Sequence, residues 1–368
     1  MINVLFDHQT FSSQRYGGIS RYFANIHHYI SQQDTVQSDI SIIRSENQYI
    51  RDYPALLNNQ IGNIILKKPT RSYKWNKVYS KYRLLKNDYD ILHPTYYNPY
   101  FLKYTKKPFV ITVHDMIHEI YPEFFESGDI SARYKRLCVE NASHIIAISE
   151  STKNDLINIL GVSEDRISVI YHGYDPQLSS PSKITEAPLA FDYLLYVGDR
   201  KGYKNWARFV RAIIPLLKMN ASMKLVCTGG GSFQSAEREL LNRLHVTDQV
   251  QQLSVSDKQL SSLYQNALAF IYPSLYEGFG LPILEAFQNQ CPVIASDNIC
   301  FKEIGRDAVA YFNPNDEESI LQVVSSVISS SQCTNDLVKK GLSLLPHYAM
   351  EQCLEQTLTV YKNIFSKS

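Results

Sequence analysis

The chain has 368 residues, 44% hydrophobic and 20% charged, a balance that excludes wholesale disorder and leaves room for two domains. A formal net charge of +1 gives no global reason to bind nucleic acid, and no run of about eighteen uncharged apolar residues is present to cross a membrane. Six cysteines (Cys138, Cys227, Cys291, Cys300, Cys333, Cys353) are scattered with no C-x-x-C pair and no zinc spacing, as buried free thiols would be.

The opening Met1-Ile2-Asn3-Val4-Leu5-Phe6-Asp7 puts an acid where a secretory leader would still be apolar, with no basic segment before it. It reads as the buried first strand of a cytoplasmic protein. Strands are expected at 2–6, 39–43, 63–66, 90–93, 109–113, 144–148 and 167–170. Helical periods fall between them: Ile19, Tyr22, Phe23 and Ile26 within 18–32, and Trp75, Val78, Tyr79 and Tyr82 further on.

That second helix lies in a basic segment. Between Lys67 and Lys107 eleven lysines and arginines are opposed only by Asp88 and Asp90, so whatever approaches there is expected to be negative. Arg71, Lys74, Lys77 and Lys81 share one helical face, one turn after Lys67 and opposite the aromatics. Either the apolar stripe packs inward beneath a solvated surface, or the basic 67–86 helix lies on an anionic membrane.

A stretch rich in Pro, Ser and Gly from Gly173 to Pro188 is the linker candidate. The alternation then restarts, with strands at 193–197, 223–227, 250–253, 268–272, 292–295 and 309–312. Helices are expected at 205–218, 234–244, 257–266, 281–288, 317–330 and 349–365. This predicts an α/β protein: a first Rossmann-like domain over 1–178, a linker over 179–190, a second such domain over 191–346, and a helix over 347–368. The two domains are expected to face each other across a cleft.

The densest motif is Ser274-Leu275-Tyr276-Glu277-Gly278-Phe279-Gly280-Leu281-Pro282-Ile283-Leu284-Glu285. A strand ends at Pro273, a glycine-rich turn follows, and Pro282 suits the first turn of a helix. Such a turn offers free backbone N–H groups and the positive end of a helix dipole to phosphate or sugar hydroxyls. Carboxylates such as Glu277 and Glu285 accept paired hydrogen bonds from vicinal hydroxyls. A second loop, Val197-Gly198-Asp199-Arg200-Lys201-Gly202-Tyr203-Lys204-Asn205, could neutralise a departing anion. Two weaker signals lie earlier: Tyr16-Gly17-Gly18-Ile19-Ser20, a glycine turn opening a helix, and Thr112-Val113-His114-Asp115, which ends a strand. Asp88-Tyr89-Asp90 spells a metal-binding D-x-D but opens a strand. Gly229-Gly230-Gly231 fails as a dinucleotide fingerprint because Gln234 replaces the third glycine.

Glu-x7-Glu around Gly-Phe-Gly-Leu-Pro resembles the donor-site motif of retaining GT-B glycosyltransferases of family 4. Cys291-Pro292-Val293-Ile294-Ala295-Ser296-Asp297, Asp307-Ala308-Val309-Ala310-Tyr311-Phe312-Asn313-Pro314, Ile146-Ala147-Ile148-Ser149-Glu150-Ser151-Thr152-Lys153 and Val169-Ile170-Tyr171-His172-Gly173-Tyr174-Asp175 are similar to family landmarks in the same order. Gln290 and Ser254 stand where the family usually has glycine.

The resemblance implies a GT-B fold whose last helix crosses back to the first domain. It also implies glycosyl transfer from a nucleotide-diphosphate sugar, with no metal and no other cofactor. Glu277 would hold the donor sugar and Glu285 the ribose. The backbone of Phe279, Gly280 and Leu281 would meet sugar and phosphate, Gly17 and Gly18 would pack on the diphosphate, and His114 would lie near the reacting carbon. Arg200 and Lys204, with Lys201 as a further participant, would stabilise the leaving diphosphate. The likeness points to bacterial O-antigen or capsule synthesis: GDP-mannose as donor, a saccharide or lipid-linked saccharide as acceptor, and a site on the inner face of the cytoplasmic membrane. UDP- or dTDP-hexoses, a nucleotide-sugar epimerase and a silent nucleotide-sugar-binding subunit are the alternatives.

Overall fold

Strands separated by helix-length connections return to a sheet in the same direction, so buried β-branched runs of this spacing pair in parallel. The computed structural model, which describes residues 1–174 and 189–367, has only parallel strand pairs among those residues. Two compact units emerge. The first holds Met1–Ile120, Phe125–His172 and the chain from Glu351 onward; the second holds Tyr121–Phe124 and the described residues between Gly173 and Met350. The linker expected over 179–190 lies, up to residue 188, outside the described residues.

In the first unit β1 (Ile2–Phe6) runs between β2 (Val36–Ile40) and β3 (Ile91–His93). β4 (Val110–Val113), β5 (His144–Ala147) and β6 (Ile167–Val169) continue the layer, joined to β3 through the Leu92–Phe109 bridge. The C-terminal helix Met350–Lys367 packs into this unit, where the Tyr361 hydroxyl lies 2.6 Å from His93 Nδ1.

Among the described residues the second unit has six strands: β7 (Tyr193–Val197), β8 (Lys224–Thr228), β9 (Val250–Leu253), β10 (Ala269–Tyr272), β11 (Val293–Ser296) and β12 (Val309–Phe312). Their order is β9-β8-β7-β10-β11-β12. The winding reverses between β7 and β10, so the loops leaving those two strands diverge and open a crevice at the carboxyl edge of the sheet. Trp206, Phe209 and Val210 close one face of this core against Leu194, Tyr196 and Cys227.

Departures from expectation have local causes. Residues 63–66 do not pair as a strand but lie in and just beyond a short helix, Gln60–Ile65, because the Asn59 side chain accepts the Gly62 N–H at 2.9 Å and starts it. The strand expected at 39–43 ends at Ile40, since Asn76 Oδ1 takes the N–H groups of Ile43 and Arg44 at 3.1 and 3.2 Å. The helix expected over 205–218 divides into Trp206–Ala212 and Ile214–Met219, where Pro215 supplies no N–H. Helices Ser131–Asn141 and Glu150–Leu160 fill two of the connections between the first unit's strands, and Ser331–Leu344 is a helix where the sequence reading gives none.

The largest correction concerns the basic helix. Four helices open the first unit: α1 (Gln9–Ser13), α2 (Gly18–Ile30), α3 (Gln60–Ile65) and α4 (Pro69–Lys86). α4 buries Asn76, Ser80 and Leu84, while Trp75, Val78, Tyr82 and Leu85 are 52%, 56%, 58% and 66% exposed. Its inner face is polar because polar partners wait there. Asn76 Nδ2 donates to the Arg44 carbonyl and Ser12 Oγ, both at 2.8 Å, and Ser80 Oγ lies 2.7 Å from both Ser41 Oγ and Tyr100 Oη. Lys77 and Lys81 lean over the rings of Tyr100 and Tyr104, which leaves Lys67, Lys68, Arg71, Lys74 and Lys86 exposed on this stretch, Lys86 paired with Asp88.

Asn76→Ala strands four partners, three of them buried, and is expected to lower stability by roughly 2–4 kcal/mol. Trp75→Ala, on the outer face, should stay within about 0.5 kcal/mol. Thermal denaturation of the two variants side by side checks this inverted polarity; equal losses would refute it.

Candidate active site

The strands on either side of the winding reversal carry the second unit's site. Past β10 the chain turns through Ser274–Gly280 into helix Leu281–Gln288. Gly280 sits at φ +113°, a backbone conformation that favours glycine, and a Cβ there would crowd the Ile283 and Phe301 side chains at 3.3 Å. Pro282 occupies the first turn, as its ring geometry favours.

Glu277 stands in this turn with Oε1 2.5 Å from Lys204 Nζ, and the two side chains are only 14% and 16% exposed. Lys204 arrives from the loop after β7, which is tied to the other loop by the Leu275 N–H donating to the Tyr203 carbonyl at 2.8 Å. The Tyr272 hydroxyl also hydrogen-bonds the Glu277 carboxylate; burial, and then that negative charge, push its pKa well above the ordinary tyrosine value. Glu277 is therefore a shielded carboxylate held from two sides.

Arg200 sits differently from expectation. Its guanidinium, 1% exposed, donates to the carbonyls of Gly229 and Gly231 at 2.8 Å each and to Glu237 Oε1 at 2.9 Å, and it lies over the Phe233 ring. Gly229, Gly230 and Gly231 all have left-handed φ, which turns carbonyls onto this one cation. Arg200 and Lys204 thus face separate partners, Arg200 the glycine loop and Lys204 the Glu277 carboxylate. Lys201 between them is exposed.

Glu285 accepts a hydrogen bond from the Tyr264 hydroxyl at 3.3 Å. The Phe279 ring is buried against Tyr348, which leaves its backbone, with Gly280 and the half-buried Leu281, to form the turn. Gln290 has φ +56°, the left-handed conformation for which glycine is the easy residue. Two hydroxyls to which the motifs containing them gave no role, Ser274 Oγ and Ser296 Oγ, are fully buried near the ends of β10 and β11 and have no partner among the described residues. A single serine at a strand end breaks no periodicity, so only the structure could find them.

In the first unit His114 follows β4. Its N–H donates to Tyr97 Oη at 2.9 Å, and its Nε2 is buried with no partner among the described residues. The ring stacks on His172 at 5.6 Å and 14°, and Tyr22 meets both edge-on. Burial, with His93 and Lys135 nearby, lowers the His114 pKa to about 3; burial, with His114 beside it, does the same for His172. Both rings are neutral hydrogen-bonding groups near pH 7. Gly17 precedes α2 and Gly18 begins it; the Gln14 side chain packs on Gly17 and accepts the Ser20 N–H at 3.2 Å. Asp88, in the apparent D-x-D, pairs with Lys86 and Arg83, and Asp90 accepts the Asn3 N–H.

Two family models match the chain in succession: Glycosyltransferase Family 4 over residues 16–178 and Glycosyl transferases group 1 over residues 182–343. The chain belongs to the family 4 glycosyltransferases. It is 29% identical over 218 residues to the O-antigen chain mannosyltransferase RfbU of Salmonella typhimurium, covering 59% of this chain and 60% of that one. It is 28% identical over 290 residues to O-antigen chain mannosyltransferase B of Escherichia coli, covering 75% and 74%. Of these two relatives the match thus spans about three fifths and three quarters of their length, and of the serotype-specific mannosyltransferase WbdA of Escherichia coli less than a third. The fold is that of GT-B enzymes. Sucrose-phosphate synthase from Thermosynechococcus elongatus superposes over the whole of both chains with a TM-score of 0.74 at 16% identity. Anabaena HepE, solved with UDP and glucose, superposes over 98% of this chain and 99% of its own at 0.73 and 16%.

His8, His93, His114 and His172 all have pKa values lowered to about 3, chiefly by burial. Unfolded imidazoles take up protons as pH falls below about 6.5 while these do not, so stability is complete above that pH and is lost progressively towards pH 3. Asp7, whose burial raises its pKa, pulls the other way but is one group against four. The melting temperature is therefore expected to fall steeply between pH 6.5 and 4; a flat profile across that window would show the imidazoles accessible.

Proposed function

We propose that this glycosyltransferase is a retaining, metal-independent hexosyltransferase that moves mannose from GDP-mannose onto a saccharide acceptor, lipid-linked, in the synthesis of a surface polysaccharide. The observation that carries the reading is the Lys204–Glu277–Tyr272 cluster beside the start of helix Leu281–Gln288: a carboxylate to grip sugar hydroxyls, a cation, and backbone N–H groups for phosphate. Mannose is favoured by the relatives named as O-antigen chain mannosyltransferases.

In this mechanism the bond between the sugar's anomeric carbon and the diphosphate oxygen breaks first. Lys204 and the helix terminus stabilise the negative charge that develops on the leaving group. A phosphate oxygen then takes the proton of the acceptor hydroxyl as the acceptor oxygen bonds the anomeric carbon on the same face. Arg200 contributes by holding the Gly229–Gly231 loop, and Glu285 by binding the donor ribose. The neutral His114, with its unpartnered Nε2, offers a hydrogen bond to a sugar hydroxyl.

A panel of GDP-, UDP- and dTDP-hexoses, with and without EDTA, tests this by nucleotide release. The expected result is EDTA-insensitive release with GDP-mannose and a loss of about 100-fold or more in Glu277→Ala with the fold intact. Near-full activity in that variant would remove Glu277 from the mechanism. Turnover of donor alone to an isomer would make the protein an epimerase, and nucleotide-sugar binding without turnover would make it a silent subunit.

We further propose that α4 lies on an anionic membrane. The stripe Trp75, Val78, Tyr82 and Leu85 faces outward beside Ile64 and Ile65 of α3, and exposed Lys67, Lys68, Arg71 and Lys74 flank it. A second copy would bring like charges together, whereas acidic headgroups complement them. No helix among the described residues is long and apolar enough to cross a membrane, so the contact would be peripheral. Co-sedimentation with vesicles rich in phosphatidylglycerol is expected to weaken with salt and to fall in Lys67→Gln/Lys68→Gln/Lys74→Gln and in Trp75→Ser/Tyr82→Ser. Binding unchanged in both would return α4 to a solvated surface.

A further inference from the structure

We infer that Lys135, acting with Tyr97, is the positioning residue that fixes His114 for glycosyl transfer; the inference rests on the glycosyl-transfer reading above. Lysine is among the residues least often found fully inside a protein, because its ammonium loses its water there. Lys135 lies on helix Ser131–Asn141 and is buried all the same, with its side chain 1% exposed. Cys138 and Val139, three and four residues on, are buried on the same face of that helix. An apolar residue at 135 would therefore complete the face without the cost of burying a charge.

What the cation bonds is the backbone beside His114. Lys135 Nζ donates to the Asp115 carbonyl and to Glu119 Oε2, both at 2.8 Å, and lies 5.4 Å from the centre of the Tyr97 ring. The Tyr97 hydroxyl accepts the His114 N–H at 2.9 Å, and the Tyr97 carbonyl accepts from Cys138 Sγ at 3.3 Å. Helix Ser131–Asn141 thus holds the chain on both sides of His114: through Tyr97 at its N–H, and through Lys135 at the carbonyl of the next residue. Glu119 balances the charge, and its Oε1 is buried with no partner among the described residues.

Stability is a poor reason for such a pair. A buried ion pair adds little over apolar residues of the same shape, whereas it can select one conformation among several. The conformation selected here is that of the turn after β4, which sets where the His114 ring and its unpartnered Nε2 point. Burial first, then His93 and Lys135, keep that ring neutral, so the cation that fixes the ring also disfavours its protonation.

Two measurements on the whole chain decide it. The first is proton–nitrogen correlation NMR of histidine-labelled protein, with the His114 imidazole assigned by its loss in His114→Ala. Lys135→Met is expected to move the His114 signals and to leave those of the exposed His28 and His347 in place. The second is kinetics with the hexose donor that the panel above identifies. Lys135→Met should lower kcat about 30-fold and leave the KM for donor within about twofold, since a misplaced group costs rate rather than ground-state binding. Adding Lys135→Met to His114→Ala should cost no more than about twofold further, because a residue that acts through His114 then has nothing left to position. Losses that multiply in the double variant, or His114 signals unmoved in Lys135→Met, overturn the inference. Where Lys135→Met does not fold, Tyr97→Phe replaces it, and its failure to move the His114 signals overturns the inference equally. If wild type releases no nucleotide from any donor, the glycosyl-transfer reading fails by itself, and the histidine spectra still decide whether Lys135 holds the ring.

Discussion

Lys204 and Glu277 are 73 residues apart in sequence and 2.5 Å apart in space, in a setting that admits little water. Removing two charges from water costs several kcal/mol each unless each is compensated. The second unit supplies the compensation with the Tyr272 hydroxyl, aromatic faces around the ammonium and a backbone bond between the two loops. The pair exists because β7 and β10 are neighbours where the sheet reverses its winding. Every part of the proposed chemistry, from the glycine-initiated helix to the loop that Arg200 holds, depends on that adjacency.

The first unit follows a different rule, with polar groups buried and matched. Asp7 accepts from Thr95, Gln9 and Tyr100, His93 lies between Thr112 and Tyr361, and Asn76 joins α4 to the segment after β2. Such networks position groups well only when complete, because an unpaired member in a low-dielectric interior is costly. Incomplete members exist too: the neutral His8 and His114 each keep a buried Nε2 without a partner among the described residues. The buried Lys135 beside His114 belongs to the same framework.

The glycine-rich turn and its two glutamates were legible in the sequence because a helix start, a proline at its first turn and a close-packed glycine each demand particular residues at particular spacings. The second unit's strands were legible because their burial is nearly complete. The direction in which α4 faces was not legible. Apolar spacing reports an inward face only when burial follows hydrophobicity, and here Asn76 and Ser80 are buried by hydrogen bonds while Trp75 and Tyr82 stay outside. The separate partners of Arg200 and Lys204 were equally hidden, since two cations four residues apart in a loop look alike until carbonyls and carboxylates from other strands surround them.

Taken by itself, the sequence determined the α/β class, the alternation that forces parallel pairing, and the resemblance whose family the chain shares. Those properties follow from local spacing and residue type. Only the tertiary structure decided which cation meets which carboxylate, which side of α4 faces outward, and that a buried lysine holds the backbone beside His114. These depend on strand order and on contacts between residues far apart along the chain, which no local pattern encodes.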